Sequence, residues 1–423
     1  MNEAAPPSND PVSHPVRTIS EHLATPAAGG SVQAPLEWLI QPTSRDRFFK
    51  EYFEKQPLLV RRQSPDYYAS LLSLDEVDRV LTTLDLRYPN IILKNAARSV
   101  EAGEYTINGS ALDIAKVYQL FAEGSTITLA YLDTVVPALT SFCRGLESEF
   151  SCPFQANVYL TPPGNQGAKI HYDTHDVFVL QVAGTKRWTL YGTPIEVPLR
   201  DQDYDPAQHA AGAPTMEFEL SAGDLVYIPR GCMHDARSTD TVSLHITVGI
   251  LAYTWTDLLL ECVAEACLNN AAFRKSLPPG FARDGFPKQQ AREIFSQLVQ
   301  HLAERARPDE MLDRFADELL SSCPPLLRGQ MEQLAALDRL AIDSIVERRT
   351  HLIARVQTDA GSVSVRCFGR NVRFPAHAAA AVQFALSHDR FAVRDLPGEL
   401  DESGKLTLVR RMIREGLLAA RIK

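Results

Sequence analysis

His171-Tyr172-Asp173, answered 61 residues later by His234 in Tyr227-Ile228-Pro229-Arg230-Gly231-Cys232-Met233-His234, decides how this chain reads. Two imidazoles and one carboxylate make the ligand set of a mononuclear non-haem iron(II) centre with open coordination positions. On an extended strand, side chains at i and i+2 point to one face. His171 and Asp173 can then grip one ion while Tyr172 faces away. The third donor has to arrive from a segment distant in sequence and near in space. His234 qualifies, because it follows the turn signal Ser221-Ala222-Gly223-Asp224 and the apolar, strand-like run Leu225-Val226-Tyr227-Ile228. Three protein ligands leave about three positions of an octahedron for a cosubstrate and oxygen. A lone His-x-Asp is common by chance, and Asp173 could instead pair with a histidine and no metal. The place of Asp173 just ahead of Val177-Phe178-Val179-Leu180-Gln181-Val182 favours the metal. That run reads as a buried strand, beside which a carboxylate is costly unless paired or metal-bound. His175 shares the face of His171 and Asp173, as a pocket residue or a fourth ligand candidate, with the non-ligand reading favoured.

Working outward, Ala183-Gly184 reads as a hairpin turn between Val177–Val182 and a second strand, Trp188–Tyr191. Lys186 then falls 15 residues after His171, where it can return to the same interior as the metal ligands. A lysine there can bind the distal carboxylate of a dicarboxylate cosubstrate as a point charge. The plainer alternative is a solvated lysine at a hairpin end. Arg187 alternates to the solvent face. Upstream, Asn157 and Tyr159 share one face of a strand. Downstream, His245 and Thr247 share one face of Ser243–Gly249. Polar side chains facing a barrel interior are expensive without a partner, so these four suggest a polar pocket, against the alternative of a half-exposed outer face.

These residues resemble the ribosomal-oxygenase family of JmjC/cupin-type, 2-oxoglutarate-dependent oxygenases. The matching core is Asn157-Val158-Tyr159-Leu160-Thr161-Pro162-Pro163-Gly164, His171-Tyr172-Asp173, Asp176–Gln181, Gly184, Lys186, Trp188, Tyr227–Gly231, His234 and Ser243-Leu244-His245. Phe53–Val60 resembles the start of that family's folded region, and the similarity covers most of the chain after about residue 35. The resemblance implies an α+β protein with a double-stranded β-helix (cupin/JmjC jelly-roll) core. It implies Fe(II) held by His171, Asp173 and His234, and 2-oxoglutarate paired through its 5-carboxylate with Lys186. Asn157, Tyr159 and Thr247 would line the cosubstrate or substrate pocket, with His245 close by. Oxygen would be consumed as 2-oxoglutarate decarboxylates to succinate and an unactivated C–H bond is hydroxylated.

The 423 residues suit two or three domains. Residues 1–34, rich in Pro, Ala, Ser and Gly, read as a disordered tail. Residues 35–253 read as the catalytic domain. Helical patterns are expected at 36–40, 45–54, 74–84 and 137–150, with strands at 57–60 and 91–93. The loop 200–214, carrying Tyr204 and His209, is placed over the pocket mouth. Residues 254–348 read as helices at 257–269, 291–305, 310–320 and 325–337, which the resemblance makes a dimerisation module. Residues 349–423 read as strands at 352–357 and 363–367 and helices at 376–386, 393–396 and 406–415, a winged-helix-like order with Gly416 as a C-cap.

Composition narrows the function. A net charge of −9 argues against nonspecific nucleic-acid binding, and Arg410, Arg411 and Arg414 on one helix read as a solvated basic face. Seven cysteines without a CxxC suit free thiols in a reducing compartment. No stretch of about twenty apolar residues and no basic-then-apolar leader appears, so a cytoplasmic protein without a membrane span is expected. The leading expectation is a hydroxylase of an arginyl or histidyl side chain in a protein, with a ribosomal protein favoured. Lys186, His245 and Thr247 resemble the histidine-hydroxylating members, and Gly249 the arginine-hydroxylating type. Two alternatives stay open: tailoring of a biosynthetic precursor peptide, and a non-catalytic cupin scaffold that binds a partner.

Overall fold

The structure, a computed structural model, describes residues 18–20 (backbone only) and 35–421. It divides into two compact units, residues 1–251 and 252–423. The expected disordered tail lies outside the described residues except for 18–20, which form a short strand.

In the first unit the strands are β1 Thr18–Ser20, β2 Leu58–Arg61, β3 Ile91–Lys94, β4 Thr106–Ile107, β5 Ala111–Leu112, β6 Thr126–Leu129, β7 Phe154–Thr161, β8 Asp176–Ala183, β9 Thr185–Leu190, β10 Met216–Ser221, β11 Leu225–Ile228, β12 His234–Ser238 and β13 Ser243–Ile250. The helices are α1 Pro35–Ile40, α2 Arg45–Glu51, α3 Leu74–Thr83, α4 Ile114–Ala122 and α5 Pro137–Phe150. Local chemistry sets their ends. Ser44 and Ser73 accept amide hydrogens from the first turns of α2 and α3, and Pro137 opens α5 where no amide donor is needed.

Eight strands form one sheet in the order β1-β2-β11-β8-β13-β7-β6-β3, and three form a second in the order β10-β9-β12. The two stack through Val177, Val179, Val226 and Ile228 of the larger sheet against Trp188, Leu190, Phe218 and Leu220 of the smaller. On the opposite face of β8, Phe178 meets Phe48 of α2 at 5.6 Å between ring centroids. Buried on both faces, β8 has no need of polar alternation, which is why its sequence is a continuous apolar run. Each such buried side chain contributes about 1.5–3 kcal/mol.

One expectation needs correcting. The turn at Ala183-Gly184 does not make a hairpin, because β8 and β9 lie in different sheets. The chain crosses from one layer to the other, and Gly184 makes the crossing possible. Its φ is +65°, and a Cβ there would lie 2.0 Å from the Val242 carbonyl oxygen.

In the second unit, α6 Trp255–Asn269, α7 Gln289–Arg305, α8 Pro308–Ser322 and α9 Gln330–Ala335 come first. The helix expected from Pro325 starts only at Gln330, after Gly329 with φ +78°. The core among these helices is small: Leu258, Cys262 and Met311, with Leu302, Ala306 and Phe315 packed on it. Large apolar side chains stay outside, Trp255 at 80% exposure, Leu268 at 75% and Phe295 at 67%.

Residues 345–420 hold β14 Ile345–Arg348, β15 Arg355–Thr358, β16 Ser362–Cys367, β17 Arg370–Pro375, α10 Ala379–Ser387, β18 Arg390–Ala392, α11 Glu402–Arg414 and β19 Leu418–Ala420. They form two three-stranded sheets, β18-β14-β19 and β15-β16-β17, around a well-filled core that includes Val346, Val365, Phe374, Val382, Met412 and Leu417. The strand expected from Leu352 begins at Arg355, and the helix expected at 393–396 is a single 3-10 turn over 393–395. Gly416 ends α11 with φ +77°.

Candidate metal centre and adjoining cavity

Between the two sheets of the first unit, β9 and β12 face β3, β6, β7, β8 and β13 across one cavity. Lys94, Thr126, Thr128, Tyr159, Val177, Val179, His245 and Thr247 line it from the larger sheet. Lys186, Trp188 and His234 line it from the smaller, and His171 and Asp173 from the segment before β8.

His171, Asp173 and His234 each offer a ligand atom, and these atoms lie within 4.8 Å of one another. The carboxylate of Asp173 is 3.8 Å from Nε2 of His171 and 3.8 Å from Nε2 of His234. The backbone brings them together in an unexpected way. His171 is not part of a regular strand; it forms an isolated antiparallel bridge with His234, with hydrogen bonds in both directions. The Gly231 amide also donates to the Asp173 carbonyl at 3.0 Å. His171, Asp173 and His234 are thus brought together by a bridge of one residue pair and not by a regular strand.

Each imidazole is oriented from behind. His171 Nδ1 contacts the Lys169 carbonyl at 2.8 Å, and His234 Nδ1 the Cys232 carbonyl at 3.0 Å. With the proton on Nδ1, both Nε2 lone pairs face the shared point, the usual arrangement for ligating histidines. Burial pushes the His234 imidazole below its ordinary range, which keeps it neutral. Burial also pushes the Asp173 carboxyl up, but His234 and His171 pull it further the other way, and the net shift is downward. Two imidazoles and one carboxylate are the donor set that suits ferrous iron.

His175 stands apart from this group. Its ring packs on Gly249, where a Cβ would lie 2.7 Å from its Cδ2. It takes no part in the three-residue cluster.

Lys186 is the second feature. It is 5% exposed, its Nζ approaches the Thr161 hydroxyl at 3.3 Å, and Thr161 is bonded in turn to the Thr126 hydroxyl at 3.1 Å. Burial alone pushes its ammonium down to about 7. The Trp188 indole lies between this lysine and the metal group, with its ring 6.0 Å from Lys186 Nζ and 5.9 Å from the His234 ring. His245 stacks flat on Tyr159 at 4.8 Å, and burial followed by the neighbouring Lys186 holds it well below its ordinary range. Three more polar atoms in the cavity wall, Thr128 Oγ1, Trp188 Nε1 and His245 Nδ1, are buried without a hydrogen-bond partner. Such atoms are rare in a complete interior, and these three belong to residues that line one space. An elongated anion that chelates at one end and carries a free carboxylate at the other matches that lining.

Asn157 is the expected pocket residue that falls outside. It shares a strand face with Tyr159, but its Oδ1 accepts from the Tyr131 amide at 3.1 Å and it does not line the cavity. The 200–214 loop is also not where it was expected. Tyr204 and His209 pack around Tyr172, whose hydroxyl donates to the Gln202 carbonyl at 2.9 Å. Tyr172 faces away from the cavity, so these residues brace the ligand segment from behind. Sequence reading missed Lys94, Thr126 and Thr128. The alternation Thr126-Ile127-Thr128-Leu129 was the available signal, since it puts both hydroxyls on one strand face.

Comparison with known proteins fits this geometry. Residues 134–258 match the JmjC domain family. Human ribosomal oxygenase 1 is 31% identical over 339 residues, which cover 75% of this chain and 52% of that protein. The bifunctional lysine-specific demethylase and histidyl-hydroxylase NO66 of Aedes aegypti is 29% identical over 342 residues, covering 74% and 54%. This chain belongs to the ribosomal-oxygenase family of JmjC proteins. It spans about half the length of these relatives. The structure of YcfD, a ribosomal oxygenase from Escherichia coli in complex with cobalt and succinic acid, superposes with a TM-score of 0.52. That match covers 90% of this chain and 99% of YcfD at 15% identity, a likeness of fold. The matched JmjC segment contains all three residues of the metal cluster as well as Lys186. Within this JmjC protein, no helix among the described residues is long and apolar enough to cross a membrane.

Proposed function

We propose that the protein is an Fe(II)- and 2-oxoglutarate-dependent oxygenase that hydroxylates an arginyl or histidyl side chain of a protein, with a ribosomal protein as the favoured substrate and the cytoplasm as its place. The observation that carries this reading is the convergence, on one cavity, of a His-Asp-His cluster and a buried lysine that has no carboxylate partner among the described residues. In this reading His171, Asp173 and His234 hold the metal, and Lys186 with the Thr161 hydroxyl holds the 5-carboxylate. When bound, ferrous iron supplies the oxygen activation that couples decarboxylation of 2-oxoglutarate to hydroxylation of a C–H bond. The chain itself supplies geometry. Trp188, Val177 and Val179 exclude water between the two binding ends, and the carbonyls of Lys169 and Cys232 fix the imidazoles. Tyr159, His245 and Thr247 complete the lining, and Asn157 holds the Tyr131 amide instead.

Residues 254–348 fit a homodimerisation module. The exposed Trp255, Leu259, Leu260 and Leu268 on α6 and Phe295 on α7 are the kind of apolar surface that a second copy covers. Residues 349–423 are read as winged-helix-like. Nucleic acid is disfavoured as their ligand, because two arginines of α11 already have partners within the chain. Arg410 donates to the carbonyls of Leu337 and Leu340, and Arg411 stacks on Phe374.

The test is turnover. With Fe(II), 2-oxoglutarate and oxygen the protein is expected to produce succinate. Ribosomal proteins from cells lacking it should lose one oxygen atom's mass on a single residue. Succinate formation without any such loss on a ribosomal protein would retain the oxygenase and reject the ribosomal substrate.

A further inference from the structure

Behind the cavity, four residues of the first unit form a closed ring of polar contacts. Tyr227 Oη donates to Asp176 Oδ1 at 2.6 Å. Arg230 Nη1 donates to Asp176 Oδ2 at 2.7 Å, and Arg230 Nη2 lies 2.7 Å from Glu54 Oε1. The Glu54 amide closes the ring by donating to Tyr227 Oη at 2.9 Å. Asp176 is wholly buried, and both of its oxygens are used. Glu54 adopts φ +58°, a left-handed conformation uncommon for a residue with a side chain, and this lets its amide and its carboxylate serve the same ring.

The position of the ring matters more than its existence. Asp176 stands three residues after Asp173, and Arg230 four residues before His234. Beyond the β8–β11 ladder, which ends at the pair Val177 and Ile228, the two segments that deliver these side chains are joined toward the metal group by a bridge of one residue pair and by the Gly231 amide on the Asp173 carbonyl. None of the four ring residues lines the cavity. They therefore cannot touch a substrate or cosubstrate there, and any effect they have on the site passes through the ligand segments. A fully buried carboxylate fixed on both oxygens is a stiff anchor. Removing its arginine leaves an uncompensated buried charge that must move or protonate.

We propose that Arg230 is a positioning residue for the metal centre. Through Asp176, Tyr227 and Glu54 it clamps the Asp173 and His234 segments at the spacing that one metal ion requires. This rests on the metal-site reading above. Supporting groups of this kind typically change metal affinity by about 10- to 100-fold when lost.

The experiment measures Co(II) binding to the full-length protein by titration calorimetry, without cosubstrate or turnover, alongside the thermal midpoint of the metal-free form. Arg230→Gln is expected to weaken Co(II) binding by about 10- to 100-fold. Arg230→Lys should recover only part of that loss, because one ammonium cannot serve Asp176 and Glu54 in the same two-pronged geometry. Val80→Ala, which removes fully buried apolar atoms in α3, controls for lost stability and should bind Co(II) as the native protein does. If Arg230→Gln does not fold, the half-exposed Glu54→Gln takes its place, with an expected loss of several-fold. Native-like Co(II) affinity in the folded ring variant, with only a lower thermal midpoint, would overturn the clamp and leave the metal site standing. Failure of the native protein to bind Co(II) would overturn both.

Discussion

The interior between the two sheets and the outer faces of α6 and α7 are mismatched to their surroundings in opposite ways. In the interior, Trp188, Thr128 and His245 bury polar atoms that lack partners, beside the buried ammonium of Lys186. On the helices, Trp255, Leu268 and Phe295 expose apolar surface. Each mismatch costs free energy in the isolated chain, and each is resolved by a different class of occupant. Buried donors around a chelating group call for a small anion and a metal, whereas exposed apolar rings call for another protein surface. The contrast separates chemistry from assembly, and it can be attacked from either side.

The largest effect is expected at the cluster itself. His171→Ala, Asp173→Ala or His234→Ala should reduce succinate formation to background and abolish Co(II) binding, while the thermal midpoint of the metal-free protein stays near the native value. Loss of folding without loss of metal binding would put these residues in the scaffold.

Lys186→Ala should act on the other end of the cavity. Removing one partner of a buried charged pair costs about 2–5 kcal/mol, so the KM for 2-oxoglutarate should rise by at least tens-fold with Co(II) binding unchanged. An unchanged KM would separate the lysine from the cosubstrate and weaken the interior half of the contrast.

Trp255→Glu addresses the helical half. Hot-spot aromatic residues contribute about 2 kcal/mol or more to an interface, so this variant should shift a dimer toward monomer in sedimentation while leaving metal binding intact. A native protein that is already monomeric at high concentration would contradict the dimer reading.

The smallest effect is a slope. The Lys186 ammonium is held at about 7 by burial, and a bound carboxylate raises it. Binding thus favours the protonated lysine. Affinity for 2-oxoglutarate should be at its plateau below pH 7 with respect to this group. It should fall as pH rises above about 7, by up to about tenfold per unit, until the raised value of the complex is reached. Lys186→Ala should lose this slope.

The legibility of the molecule in its sequence follows from the range of each signal. The triad was readable because a His-x-Asp and a histidine after a turn-strand pair require no knowledge of topology. Lys186 was readable as an interior residue, but its route was not. Only the positive φ of Gly184 and the close Val242 carbonyl reveal that the chain changes sheets there. Thr126 and Thr128 come from a strand paired to β3 and β7, so their contribution depends on sheet order that no local pattern encodes. The 200–214 loop failed for a related reason. Its anchor, Tyr172, was recognised as facing away from the ligands, yet nothing in the sequence said which surface the loop would cover. The Asp176–Arg230 ring was equally hidden, because it joins residues more than fifty positions apart with a glutamate from the segment after α2.

A structure of the protein with Co(II) and 2-oxoglutarate bound tests the central account most directly. The account predicts the ion within bonding distance of His171 Nε2, Asp173 and His234 Nε2, the keto-acid end of the anion on that ion, and its far carboxylate against Lys186 Nζ and the Thr161 hydroxyl. An ion held by other side chains, or an anion whose free carboxylate points away from Lys186, would contradict it.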